Sequence, residues 1–141
     1  MIAAGMVAEA LGGKKILHRT IESESDLLDS VEHGLPKATV RHIFRIFGGD
    51  RAKYIYLFIP EGTYKKRKDT LNLEESQKAE RIARLIATAQ YVWDDENDVR
   101  QFLITPHPYF RNRKPLEVAF TELGARHVEE LLWKIYYGLP V

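Results

Sequence analysis

No cysteine occurs in the 141 residues. That absence excludes a disulfide framework, a thiolate zinc site and a cysteine nucleophile together, and it suits a reducing compartment. Nor does any apolar run approach the roughly 18–20 residues of a membrane helix; the longest is Tyr54–Pro60. The amino end, Met1–Glu9, has no basic segment ahead of its apolar residues and carries Glu9 among them, a poor match to a signal peptide. The expectation is a cytoplasmic protein without membrane contacts. An excess of charge of one sign is missing too. Lys+Arg 21 against Asp+Glu 20 leaves a net +1, which argues against a uniformly basic coat for nucleic acid. Internal repeats and low-complexity tracts are also absent.

What is present is a globular composition, 45% hydrophobic and 29% charged, unlike that of a disordered chain. A chain of this length buries roughly 68–70% of its unfolded surface and needs no metal or disulfide staple. One domain, or two small ones sharing a core, is expected. The near-neutral total is a cancellation. Residues 51–68 hold six basic side chains (Arg51, Lys53, Lys65, Lys66, Arg67, Lys68) against Glu61 alone, and residues 69–100 hold four basic against eight acidic.

Helix patterns dominate. Ser25–Val31 opens with cap-type residues and stops at Gly34. Pro36 suits the first turn of a second helix running to about Gly48, with Val40, Ile43, Phe44 and Phe47 on its buried face. Asp50 is positioned to cap a helix over about 51–59, and Pro60-Glu61-Gly62 breaks the chain before a short basic helix over about 63–68. Asn72 and Glu75 have capping-box spacing and open the longest helix, to about Trp93. Asp94-Asp95 precedes a helix to about Leu103, Pro115 starts a short one, and Thr121 caps the last, with Val128, Leu131, Leu132 and Ile135 inward. Gly138 is placed for a left-handed chain reversal. The fold class is all-α, about eight helices, with an N-terminal arm over residues 1–20.

Two constellations bear on function. The unit 50–68 has the form of a helix-turn-helix, whose second helix enters the DNA major groove. Thr63, Tyr64, Lys65, Lys66, Arg67 and Lys68 are then the DNA contacts, with four cations for phosphates. A solvated basic turn in a helical bundle fits the same spacing. The second constellation is the carboxyl end, Lys134 to Val141. Tyr136, Tyr137, Gly138, Leu139, Pro140 and Val141 form an amphipathic turn and apolar tail suited to entering a cleft. A tail folded back over its own core is the alternative. Tyr54–Phe58 is assigned to core packing, with a pairing interface as its alternative.

The remaining candidates supply no chemistry. His18, His33, His42, His107 and His127 lie at no metal-ligand spacing. Gly12-Gly13 and Gly48-Gly49 lack a phosphate-loop frame. Glu74-Glu75 and Glu129-Glu130 are sequence neighbours that face different sides of a helix. No catalytic residue, cofactor or metal site is assigned.

Longer motifs carry a resemblance. The segments 102–108, 113–117 (Arg-Lys-Pro-Leu-Glu), 121–132 (Thr-Glu-Leu-Gly-Ala-Arg-His-Val-Glu-Glu-Leu-Leu) and 135–140 (Ile-Tyr-Tyr-Gly-Leu-Pro) together resemble the C-terminal toxin-binding domain of the Xre/MbcA/ParS antitoxins. Asp26-Leu27-Leu28, Val31–Pro36, Thr63-Tyr64, Lys66-Arg67 and Leu73–Ser76 resemble the family's Xre-like N-terminal domain. The resemblance covers about residues 20–141. It implies a helix-turn-helix domain over 21–89 that represses its own operon, and a toxin-binding domain over 90–141. The toxin it implies is a RES-domain protein that degrades NAD or transfers its ADP-ribose, obstructed at its active-site cleft. By position, Arg113 and residues 136–141 are the toxin contacts and residues 63–68 the operator contacts.

Three departures from the family pattern stand out: Arg111-Asn112 in place of a Gly-Gly, Lys114 in place of a capping Ser or Thr, and His107 in place of an Asn. The leading expectation is therefore a non-enzymatic antitoxin, with a cognate toxin and operator DNA as partners and a homodimeric state, since helix-turn-helix proteins pair to read two half-sites. A stand-alone transcriptional regulator is the second reading, and an enzyme the third.

Overall fold

The computed structural model describes residues 2–141, which form α-helices and two short 3-10 segments. Among those residues there is no strand, only the isolated bridges Pro36–Thr70 and His107–Arg113. Ten α-helices follow in order: α1 (Ala4–Leu11), α2 (Gly13–Leu17), α3 (Glu24–His33), α4 (Ala38–Ile43), α5 (Arg51–Phe58), α6 (Glu61–Lys66), α7 (Leu73–Val92), α8 (Glu96–Ile104), α9 (Pro115–Val118) and α10 (Glu122–Tyr136). The all-α expectation holds. The two helices beyond the expected eight are α1 and α2, which occupy the stretch taken for an arm.

The Asn72–Glu75 capping box starts α7. The Asn72 side chain accepts from the Glu75 N–H at 2.8 Å, and Glu75 Oε1 accepts from the Asn72 N–H at 3.0 Å. Beyond that cap α7 is buried around most of its circumference, at Ala79, Ile82, Ala83, Leu85, Ile86, Ala87, Thr88 and Ala89. Such a helix needs neighbours on several sides, and α1, α3, α4, α8 and α10 supply them. Its four alanines let those neighbours approach closely. α10 docks through Val128, Leu131 and Leu132, all fully buried and each contributing about 1.5–3 kcal/mol. One hydrophobic core runs from Val7 to Leu132, so both halves of the chain share it.

α1 presents Val7, Ala8 and Leu11 to that core. It turns into α2 at Gly12 and Gly13, both at positive φ (122° and 67°), and a Cβ on Gly12 would collide with the Ile16 side chain. This Gly-Gly pair is therefore a helix corner.

Several boundaries differ from the sequence expectation. Ser23, not Ser25, caps α3. Pro36 lies outside α4, held beside Thr70 by the bridge, and its carbonyl accepts from Thr39. α4 ends at Ile43 and continues as a 3-10 segment, Phe44–Asp50, broken at Gly48 (φ 56°). Asp50 makes no side-chain cap. Trp93 is extended and terminates α7, and Ile135 is only half-buried. Tyr54, Ile55 and Phe58 are core residues, as assigned, while Leu57 is exposed.

Candidate functional site

The corner between α5 and α6 is anchored from inside. Ile59 and Phe58 are each 2% exposed, so the bulky residue before Pro60 is a core anchor. Pro60 ends α5, and its carbonyl accepts from the Tyr64 N–H at 2.9 Å, opening α6. Lys78 Nζ donates to the Phe58 carbonyl at 2.9 Å, satisfying the carboxyl end of α5. α6 thus begins two residues earlier than expected and takes in Gly62, while Arg67 and Lys68 lie beyond it.

α6 has no buried residue. Thr63 and Tyr64 are half-buried, and Lys65 and Lys66 face solvent. The Tyr64 ring meets Tyr56 edge-on at 6.3 Å and carries the Lys37 ammonium 4.5 Å from its centroid. Burial pushes its phenol up from the usual value. Two of the candidate cations are spoken for. Lys65 pairs with Glu61 at 3.1 Å, and Arg67 makes a two-pronged bond to Glu75, 2.9 Å on each arm. Lys66 and Lys68 have no side-chain partner among the described residues. Sequence reasoning missed the Arg67–Glu75 pair, because Glu75 was already accounted for as a cap.

At the other end of the molecule, α10 closes on a Schellman turn. Leu139 N–H donates to the Lys134 carbonyl at 2.8 Å and Gly138 N–H to the Ile135 carbonyl at 3.1 Å, with Gly138 at φ 67°. This directs the tail outward, contrary to the fold-back alternative. Tyr137 is 67%, Leu139 54% and Val141 65% exposed. An aromatic cluster leads up to the turn. Tyr91 of α7 lies 5.2 Å from Tyr136 and 5.6 Å from Trp133, and Tyr136 meets Tyr137 edge-on at 5.0 Å. The neighbouring Tyr91 phenol raises the Tyr136 phenol from its usual value. Tyr91 and Trp133 were absent from the sequence candidates. Trp133 was reachable, since it lies three residues before Tyr136 on one helix face, but Tyr91 is brought in only by tertiary packing.

The loop between α8 and α9 lies along α10. Arg111 and Asn112 both adopt left-handed conformations (φ 55° and 61°), so the reversal survives without a Gly-Gly. His107 Nδ1 accepts from the Tyr109 N–H at 3.1 Å, as an Asn side chain there is suited to do. Lys114 gives α9 no side-chain cap. Arg113 is exposed in a groove with Leu123 and His127, while Tyr136–Val141 follow at the far end of α10. The two parts of the candidate toxin site are thus at different turns of one helix. Tyr109 lies between them, stacked 4.9 Å from His127 and accepting a hydrogen bond from Lys134 Nζ at 3.1 Å.

Among the described residues no cluster of His, Asp and Glu is placed to hold a metal ion, and no helix is long and apolar enough to cross a membrane. Residues 26–84 match the antitoxin Xre-like helix-turn-helix domain, and residues 88–138 match the antitoxin Xre/MbcA/ParS C-terminal toxin-binding domain. No curated protein matches the chain.

Proposed function

Because the chain belongs to the Xre/MbcA/ParS antitoxins, with an Xre-like helix-turn-helix domain ahead of a C-terminal toxin-binding domain, we propose that it neutralises a RES-domain toxin by seating its carboxyl end in the toxin's active-site cleft. The families it matches are non-enzymatic binding proteins. The observation that carries the plug reading is the outward Schellman turn, which leaves Tyr137, Leu139 and Val141 as an exposed apolar tip on a helix otherwise anchored in the core. The RES and NAD assignments rest on the sequence resemblance.

In the same reading, residues 21–89 bind operator DNA as a homodimer in the cytoplasm, with Thr63–Lys68 as the contact segment, and residues 90–141 form the toxin-binding part. Arg67, clamped by Glu75, orients the end of α6 and leaves Lys66 and Lys68 as its free cations. A stand-alone regulator leaves the toxin-binding match over 88–138 without a role.

Co-expression with the toxin gene beside it tests the proposal. The full chain restores growth, and a chain ending at Ile135 does so poorly. Undiminished rescue by the shortened chain overturns the plug.

A further inference from the structure

The basic face around α6 draws cations from parts of the chain far from residues 51–68. Residues 35–37 run beside 69–71. Lys37 N–H donates to the Asp69 carbonyl at 2.8 Å, Leu71 N–H donates to the Leu35 carbonyl at 2.9 Å, and Leu35 N–H donates to Ser76 Oγ at 2.9 Å. Gly34 makes the approach possible: its φ is 93°, and a Cβ there would press on the Leu71 carbonyl. With α2 packed on α4, this pairing sets the end of α2, the start of α4 and the end of α6 around one groove of about 620 Å³.

Lys15, Lys37, Arg41 and Lys68 line that groove, and Asp69 is its one carboxylate. Lys15, Arg41 and Lys68 are exposed, and none has a side-chain partner among the described residues. Like charges gathered in a concave surface repel one another and attract a polyanion. The groove is continuous with α6, since Tyr64 lies in its wall beneath the Lys37 ammonium. Lys15 belongs to α2, which precedes the matched helix-turn-helix segment 26–84.

We propose that this groove seats the sugar–phosphate backbone of the duplex whose bases α6 meets. Lys15, Lys68 and Arg41 neutralise successive phosphates, Arg41 with its planar fork and the lysines as point charges. Such contacts fix position and orientation on the duplex and carry no sequence information. The proposal rests on the operator-binding reading of α6 and adds the second surface which that reading lacks.

The test uses the full chain and two duplexes of equal length, one spanning the DNA upstream of its own reading frame and one of scrambled sequence. Affinity is measured by fluorescence anisotropy from low to moderate salt, for the wild type, K15Q/R41Q and K66Q. Because Lys15 and Arg41 are exposed, thermal melts of K15Q/R41Q should overlay the wild type. The expected result is a shallower dependence of log K on log salt, by about 0.9 for each lost phosphate contact. K15Q/R41Q should weaken both duplexes by the same factor, whereas K66Q should narrow the preference for the upstream duplex. The charge-keeping K15R/R41K should retain the wild-type slope. Wild-type binding with a slope unmoved in K15Q/R41Q overturns the groove and leaves the operator reading standing. A wild type that binds neither duplex overturns both.

Discussion

Arg84 on α7 and Glu129 on α10 face each other across the interface that joins the two halves of the chain, with Arg84 Nε donating to both carboxylate oxygens at 3.0 and 3.2 Å. The same guanidinium reaches Glu80 at 2.8 Å and Glu122 at 3.1 Å, so three carboxylates converge on Arg84, with Glu122 paired to Arg81 as well. The side chains of Arg84, Glu80 and Glu129 are only 22%, 17% and 17% exposed. Removing the cation strands two largely desolvated carboxylates side by side. R84M should therefore cost about 2–4 kcal/mol, somewhat less than the ~3–5 kcal/mol of a fully buried pair because water still reaches the cluster. R81M, which loses a pair with the half-exposed Glu122, should cost about 1 kcal/mol or less. Urea denaturation separates the two, and equal losses would show that the cluster contributes no more than a surface pair.

The same cluster sets a pH dependence. Burial pushes the carboxyls of Glu80 and Glu129 above their ordinary value near 4.5, and the Arg84 attraction only partly offsets it. A carboxyl raised in the folded state holds its proton more tightly there than in the unfolded chain. Its ionisation therefore lowers stability as pH rises through the folded-state value. Descending from neutrality toward pH 5, these two groups add stability. His42, lowered by burial of its ring, works the other way in that window, so the measurement is the difference between wild type and E80Q/E129Q. That difference should move in favour of the wild type as pH falls from 7 to 5. Glu75 behaves oppositely. Burial raises it, but the Arg67 fork and the Asn72 N–H outweigh that and hold it below the ordinary value. Its stabilisation is lost only as pH falls below about 4.5, and E75Q should remove that lower limb.

How much of this was legible depends on whether the signal was local. Asn72 and Glu75 announce the start of α7 because a capping box is complete within four residues, and Gly138 announces the reversal after α10 for the same reason. α1 carries no such mark. Ala3 caps nothing with its side chain, and two turns with Val7, Ala8 and Leu11 inward are too short for a clear period. Packing on α7 holds it helical. The basic block was legible as charge but not as surface, since Arg67 turns to Glu75 and Lys65 to Glu61 while Lys15 and Arg41 come in from elsewhere. The tail's exposed residues were legible, whereas their neighbour Tyr91 was not, because it lies 45 residues before Tyr136 and only the α7–α10 contact brings the two together.

Two helical glycines should respond in opposite directions to alanine. Gly124, in the first turn of α10, lies against the Val118 carbonyl at the end of α9, and a Cβ there would sit inside that oxygen's contact radius. Because the obstruction is backbone, relief requires moving α9. G124A should cost about 3 kcal/mol, at the upper end of overpacking penalties. Gly62, inside α6, has nothing within 4 Å of a Cβ and is exposed, so G62A should gain about 0.5–1 kcal/mol from helix propensity. Thermal melts read both, and an unaffected G124A would mean that α9 yields freely.

The exposed aromatic end separates binding from folding. Among the described residues Tyr137 meets only the Trp133 and Tyr136 rings, and it leaves two-thirds of its surface in solvent, so Y137A should change stability by no more than about 0.5 kcal/mol. An exposed tyrosine beside a tryptophan is the kind of group that dominates a protein interface once covered. Y137A should therefore weaken toxin binding by about 30-fold, the equivalent of roughly 2 kcal/mol. L73A provides the control. Leu73 is similarly exposed, at 52%, but opens α7 beside the helix-turn-helix, and its loss should leave toxin affinity unchanged. Calorimetric titration against the purified cognate toxin measures both. Equal weakening by the two variants would place the toxin on a broader surface than the α10 end, and no weakening by Y137A would remove the aromatic tip from the interface.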